Sequence, residues 1–177
     1  HAIFSLDFSP DDTLLAEGTL FSGATTATNS NAAAVFDLAT ERSLASNLVG
    51  SFGATFVRFS PDGTKLSAAG TGGDIQVWST ADLQSGGRLL HTQHGPTTTA
   101  FEPNGELLAV GSDGAITRWD PSGASAIART IPSSPEDGGI FNDDGSLMAL
   151  SDNRDRAVLY DTAVALRRVA ARIARPA

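Results

Sequence analysis

The chain has 177 residues, a formal net charge of −8, 18 Gly, 8 Pro and no Cys. That length holds one sizeable core or several small repeats sharing one. The Gly and Pro content is too turn-rich for a helical bundle and not biased enough for disorder, and the lack of cysteine excludes disulfides, thiolate zinc sites and a Cys nucleophile.

Charge is uneven along the chain. Residues 1–150 hold 6 basic and 17 acidic side chains, whereas residues 151–177 hold 6 basic and 3 acidic. An acidic body lacks the Lys and Arg patch that binding to a phosphate backbone needs, so nucleic acid is a poor default partner. No run approaches the roughly 18 apolar residues of a membrane span, and the N-terminus lacks the basic start and apolar stretch of a signal peptide. The expectation is a cytoplasmic protein that meets no membrane. A chain starting at His1 reads as cut from something longer, and an excess of Arg over Lys of 11 to 1 points weakly to a GC-rich bacterial genome.

Taken in chain order, the elements repeat. One phase is an aromatic residue leading into a turn: Phe8-Ser9-Pro10-Asp11, Phe59-Ser60-Pro61-Asp62-Gly63, Phe101-Glu102-Pro103-Asn104-Gly105 and Phe141-Asn142-Asp143-Asp144-Gly145. The other is an aromatic usually followed by Asp: Phe36-Asp37, Trp78-Ser79, Trp119-Asp120 and Tyr160-Asp161. From the first phase to the second the steps are 28, 19, 18 and 19 residues, and from the second to the next turn they are 23, 23 and 22. Eight of the twelve aromatic residues lie on these two phases, which chance placement would not produce.

In the turn, Pro presets φ, Asp or Asn follows, and Gly accepts the left-handed conformation that closes a tight connection. The turn therefore joins two strands, such as residues 54–59 before it and 107–110 after it. A second turn, Ser112-Asp113-Gly114, leads into a strand over 115–119, and a fourth strand, such as 88–93 or 126–131, ends each unit. Four short strands in roughly 41 residues, tandemly repeated, describe a β-propeller blade. The predicted fold is all-β: four tandem four-stranded antiparallel blades over about 1–48, 49–94, 95–133 and 134–161.

These residues resemble the WD40-repeat family, whose unit has an FSPDG-like turn and a terminal Trp-Asp. The resemblance spans residues 1–161 and is most specific in repeats two and three. It makes Phe59, Pro61, Asp62, Gly63, Trp78, Asp120, Tyr160 and Asp161 the repeat signature. The family's hydrogen-bonded tetrad of His, Ser or Thr, Asp and Trp maps onto His94, Asp113 and Trp119, with Gly111 at the Ser/Thr position and Ser112 one residue off. Repeat two keeps Trp78 but has Gly72 where the Asp belongs, and Asp155 is one residue out of phase with Tyr160. With at most one near-complete tetrad, stability should rest on apolar packing between blades. Turns of the FSPDG type also recur in periplasmic TolB-like propellers, and repeat four, with Ser151-Asp152-Asn153-Arg154-Asp155, is similar to those.

Two segments depart from the period. The extra residues of repeat one fall around 19–34, a Thr-, Ala-, Asn- and Ser-rich stretch that reads as a surface insertion or a contact loop. Residues 162–177 carry Arg167, Arg168, Arg172 and Arg175 without an acid. Thr162 is placed to cap a helix, and Val164, Leu166, Val169 and Ile173 recur at roughly helical spacing, so a basic amphipathic helix is expected to cover the last blade. This tail resembles the segment that follows the WD repeats of large bacterial signalling ATPases, and implies the C-terminal propeller of a signalling NTPase or kinase.

Catalytic chemistry finds no footing in the sequence. His1, His91 and His94 have no Cys or suitably spaced acid with which to hold zinc. The run Gly70-Thr71-Gly72-Gly73 lacks the Lys-Ser or Lys-Thr of a phosphate loop, the acidic turns do not fit a calcium loop, and no Gly-x-Ser-x-Gly elbow occurs. No catalytic residue, metal or cofactor is expected. The reading is a non-catalytic protein-protein interaction or sensor module of a larger regulatory protein, binding a protein partner. The alternative is a TolB-like or lactonase-like propeller of a periplasmic protein or hydrolase, whose channel would gather polar groups. The inner strand 97–100, Thr-Thr-Thr-Ala, carries no charge and favours the first. Four blades make about half a ring, so completion by further blades or by pairing of two copies is expected, with apolar surface exposed around Phe4, Leu6 and Phe8.

Overall fold

The computed structural model describes residues 2–20, 33–46, 54, 56–70, 73–92, 96–111, 115–120, 126–130, 139–152, 156–162 and 172–173. These residues form four antiparallel sheets, each a four-stranded meander in chain order. The first holds β1 (Ala2–Phe8), β2 (Leu14–Leu20), β3 (Ala33–Asp37) and β4 (Arg42–Ala45). The second holds β5 (Phe56–Phe59), β6 (Lys65–Ala69), β7 (Asp74–Ser79) and β8 (Arg88–His91). The third holds β9 (Pro96–Phe101), β10 (Leu107–Gly111), β11 (Ile116–Trp119) and β12 (Ala126–Thr130). The fourth holds β13 (Gly139–Phe141), β14 (Leu147–Asp152), β15 (Arg156–Asp161) and β16 (Arg172–Ile173).

The repeated turn closes the first hairpin of every sheet. Gly63, Gly105 and Gly145 take positive φ, a conformation that residues with a Cβ rarely adopt. In the first sheet that place falls to Asp12, with φ of 57°, a conformation Asp tolerates better than most L residues. Each turn is tied by the same backbone bond, from Asp12 N to Ser9 O at 2.9 Å, Gly63 N to Ser60 O at 2.8 Å, Gly105 N to Glu102 O at 2.8 Å and Gly145 N to Asn142 O at 3.1 Å.

Innermost strands stand side by side in sequence, β1 against β5, β5 against β9 and β9 against β13, so the sheets stack face to face around them. Three apolar cores fill the gaps. Ala16, Val35 and Ala45 of the first sheet meet Val57, Phe59, Leu66 and Trp78 of the second. Ile75, Val77 and Leu90 then meet Phe101, Leu107 and Trp119. Ala100, Leu108, Val110 and Ile116 meet Phe141 and Met148. Both aromatic phases of the second and third sheets, and Phe141 of the fourth, therefore face the preceding sheet. The small residues Ala68, Ala69 and Ala109, all buried, let the sheets approach.

Polar links reinforce the first junction. Asp7 accepts from the backbone N–H of Phe59 at 2.7 Å and pairs with Arg58 at 3.0 Å, while Ser5 Oγ accepts from Val57 N at 3.2 Å. Burial pushes the Asp7 carboxyl above its ordinary range, with Phe59 N–H and Arg58 opposing the shift.

One expectation is corrected. The described residues contain no helix, and Arg172–Ile173, placed in a helix over 162–177 by the spacing of apolar residues, pairs antiparallel with β15, Val158 facing Arg172 and Ala157 facing Ile173. Sheets one to three all have a fourth strand, and without β16 the outer edge of β15 would keep a row of unpaired backbone groups. Ile173 is also β-branched, which favours a strand. The insertion over 21–32 lies outside the described residues.

Candidate interaction rim

The turns that join the first and second strands of the four sheets, together with those joining the third and fourth strands of the first two, lie on one rim of the stacked sheets. In the first two sheets the turn aspartate organises the rim through an identical hydrogen-bond set. Asp11 Oδ1 accepts from Ser9 Oγ at 2.6 Å, Thr13 N at 3.2 Å and Thr13 Oγ1 at 2.8 Å. Asp62 Oδ1 accepts from Ser60 Oγ at 2.5 Å, Thr64 N at 3.0 Å and Thr64 Oγ1 at 2.8 Å. Asn104 and Asp144 reproduce the backbone part of this set toward Glu106 N and Ser146 N, each at 2.9 Å.

Donors directed at the carboxylate stabilise its charged form. They hold Asp11 and Asp144 below the ordinary carboxylate range, and Asp62 at about 2, with Ser60 the largest contributor. Between the first two turns lies an open concavity of about 440 Å³ lined by Pro10, Asp11, Pro61, Asp62, Gly63, Thr64, Ser79, Thr80 and Ala81. Its floor is preorganised and its two carboxylates remain ionised at neutral pH.

Two threonines stitch the rim together: Thr80, for which no expectation arose from sequence, and Thr162, expected as a helix cap. Thr80, two positions after Trp78, donates its hydroxyl to Gly63 O at 2.7 Å and its N–H to Thr64 O at 3.0 Å. Thr162, two after Tyr160, does the same to Gly145 O at 2.5 Å and Ser146 O at 2.9 Å. The signal was a Thr recurring at that offset in repeats two and four. Thr162 is thus part of the fourth sheet's rim, where a helix N-cap was expected.

The third and fourth sheets share a charged cluster that was also missed. Arg118 Nε lies 2.7 Å from Glu102 Oε2 and 3.3 Å from Glu106 Oε2, and Arg118 Nη2 donates to Glu102 Oε1 and to Thr162 O, both at 2.8 Å. Glu102 stands where the first two turns have Ser9 and Ser60 and the fourth has Asn142, and it is buried. Burial pushes its carboxyl above the ordinary range, with Arg118 opposing.

These two carboxyls give opposite pH dependences. Asp62 has a folded pKa below its unfolded 3.8, so its stabilisation is present above that value and is lost as pH falls toward about 2. Glu102 has a raised folded pKa, so its contribution is present below its unfolded 4.5 and is lost as pH rises through the folded value. Urea titrations should show wild type losing stability relative to Asp62→Asn on acidification below about pH 4, and relative to Glu102→Gln on going from about pH 4 to pH 7. Parallel curves for both pairs would refute the assignment.

Of the other predicted site residues, Phe59 is buried, Pro61 and Asp62 line the rim and Trp78 is buried in the first junction. Trp119 is 5% exposed in the second junction, and among the described residues its indole N–H has no hydrogen-bond partner. Gly111, at the tetrad's Ser/Thr position, has no hydroxyl to offer it. His94 and Asp113 lie outside the described residues. Asp120 follows β11, while Tyr160 and Asp161 end β15 in register with Met148 and Leu147. His91 is exposed and pairs with Asp74 at 2.8 Å. Among the described residues no group of three or more His, Cys, Asp or Glu is placed to hold a metal ion, and no helix is long and apolar enough to cross a membrane.

Four-stranded meanders stacked face to face around their inner strands, with aligned turn rims, define the class: blades of the β-propeller type. Within that class, residues 43–79 and 87–120 match the family WD domain, G-beta repeat, and the chain carries WD40 repeats there. A comparison with curated proteins finds no match. Among solved structures the chain is similar to one from Kuenenia stuttgartiensis Hydrazine Synthase, with a TM-score of 0.71 and 16% identity over 95% of this chain and 49% of that one. At that identity the likeness shows the fold alone, and this chain spans about half the length of that neighbour. WD40 repeats indicate a protein-interaction propeller module and are generally not catalytic.

Proposed function

We propose that this chain is the non-catalytic protein-binding or sensor part of a larger cytoplasmic regulatory protein, and that it receives its partner on the turn rim without a cofactor. The observation that carries this reading is the pair of WD40 repeats at 43–79 and 87–120, the first of which supplies one wall of the concavity between the Asp11 and Asp62 turns. Carboxylates already saturated with local donors present fixed negative charge at little cost in reorganisation, which suits a basic or hydrogen-bond-donating peptide segment.

Selecting a peptide-display library against the immobilised chain tests this. Selected peptides should compete for one site and lose affinity at least tenfold when Pro10→Arg or Ala81→Arg blocks the concavity, both positions being exposed. Selected peptides indifferent to both changes, or turnover of lactone or ester substrates above background, would overturn it. In the same preparation zinc, calcium and manganese should leave the melting temperature unchanged within error, and a rise of several degrees at micromolar metal would show a site that this reading excludes.

A further inference from the structure

The concavity between the first two turns carries chemistry that the other two junctions of the stack do not repeat. Three residues after the turn aromatic the four sheets hold Asp11, Asp62, Asn104 and Asp144, so of the neighbouring pairs it is the first and second turns that have an acid on both sides. These two turns also touch. A Cβ on Gly63 would lie 3.5 Å from Pro10 Cδ, so the Pro10 ring of the first turn rests over the second. Pro61 and Ala81 continue the aliphatic surface, and among the described residues no Lys, Arg, His or aromatic side chain lines the hollow.

The bonds that Asp11 takes from Ser9 and Thr13, and Asp62 from Ser60 and Thr64, all end on Oδ1. Oδ2 of each carboxylate is therefore the oxygen with lone pairs to spare. Asp12, in the left-handed conformation that the other three turns give to Gly, adds an acid beside them. Lys65 is near enough to help hold Asp62 ionised, yet it is half-buried and does not line the hollow. The concavity thus offers one acceptor oxygen from each of two sheets above a floor of aliphatic rings.

We infer that this concavity takes an unmodified arginine side chain from a partner protein, its guanidinium between the two carboxylates and its methylene stem on Pro10 and Pro61. The inference rests on the rim reading proposed above and narrows it to one side chain. Charge complementarity selects a cation, because a phosphorylated or acidic segment would meet two ionised carboxylates and no cation in the lining. The acceptors then choose among cations. A guanidinium carries five donors in a flat fork, serves two separate acceptors at once, is weakly hydrated and lays its stem along apolar surface. A lysine ammonium is a compact, strongly hydrated charge, and a hollow open to solvent repays its dehydration poorly. A methylated lysine is held by an aromatic cage, which the lining lacks.

The backbone amides of Thr13 and Thr64, which donate to the two carboxylates, report occupation in amide NMR spectra of the isotope-labelled chain. The acetylated and amidated peptide Gly-Gly-Arg-Gly-Gly should move both signals saturably at millimolar concentration. Its lysine counterpart should bind about threefold or more weaker, and its citrulline counterpart, which keeps the shape without the charge, about tenfold or more weaker. Asp11→Asn and Asp62→Asn should each weaken the arginine peptide about threefold or more, with unchanged far-UV circular dichroism because Asn104 closes the same turn in the third sheet. Equal binding of the three peptides, no saturable shift at Thr13 and Thr64, or indifference to both Asn variants would each overturn the inference. None of these results touches the wider rim reading, which turns on the display-selected peptides and the Ala81→Arg block, so the two fail separately.

Discussion

Replacing Trp119 by Ala should lower the stability of the chain by about 3 to 5 kcal/mol, a large fraction of the stability of an ordinary domain. The indole is buried in the second junction among Ile75, Val77, Leu90, Phe101 and Leu107, contributed by two sheets. Removing it leaves a cavity that neither sheet can close without moving the other, so lost transfer energy and lost contacts add. Trp119→Phe should cost less than Trp119→Ala, because a phenyl ring still fills part of the gap between the two sheets. Ser79→Ala, beside the other tryptophan but exposed, should change stability by less than about 0.5 kcal/mol. Chemical denaturation of the three variants checks the order, and equal effects for Trp119→Ala and Ser79→Ala would mean that β11 does not face the second sheet.

The same residue shows why the architecture was legible in the sequence. An aromatic residue that must fill the gap between two stacked sheets recurs once per sheet, and the turn that starts each second strand needs a residue tolerant of positive φ. Both constraints are local and periodic, so they survive in the spacing of Phe59, Trp78, Phe101, Trp119 and Phe141. Contacts across a sheet or between sheets leave no such trace. Arg118 and Glu102 are sixteen positions apart and meet across a sheet, and Thr162 joins them only because the fourth sheet stacks on the third. Arg172 and Ile173 were misread because a few apolar positions fit both periods, and what decides their state is the open edge of β15, a tertiary fact, while 163–171 and 174–177 lie outside the described residues. The rim concavity was hidden for the same reason: Pro10 and Pro61 are distant in sequence and neighbours in space.

Gly145→Ala should be the most damaging of the turn substitutions, destabilising the chain by about 2 to 5 kcal/mol. Two effects combine at this position. Its φ of +67° is strained for any residue with a Cβ, and an added Cβ would fall within 2.3 Å of Phe101 O and 2.9 Å of Phe101 C, which are backbone atoms unable to rotate away. The fourth sheet's turn sits directly on the end of the third sheet's inner strand, and relief of that clash means prying the two apart, along with the Arg118 contact to Thr162 O. Gly105 separates the two effects, having a φ of +84° but no heavy atom within 4 Å of an added Cβ. Gly105→Ala should therefore show the conformational strain alone, about 1 to 2 kcal/mol. The difference between the two variants, read by urea denaturation, measures how tightly the fourth sheet packs on the third. If both cost the same, the turn of the fourth sheet does not stack on the inner strand of the third.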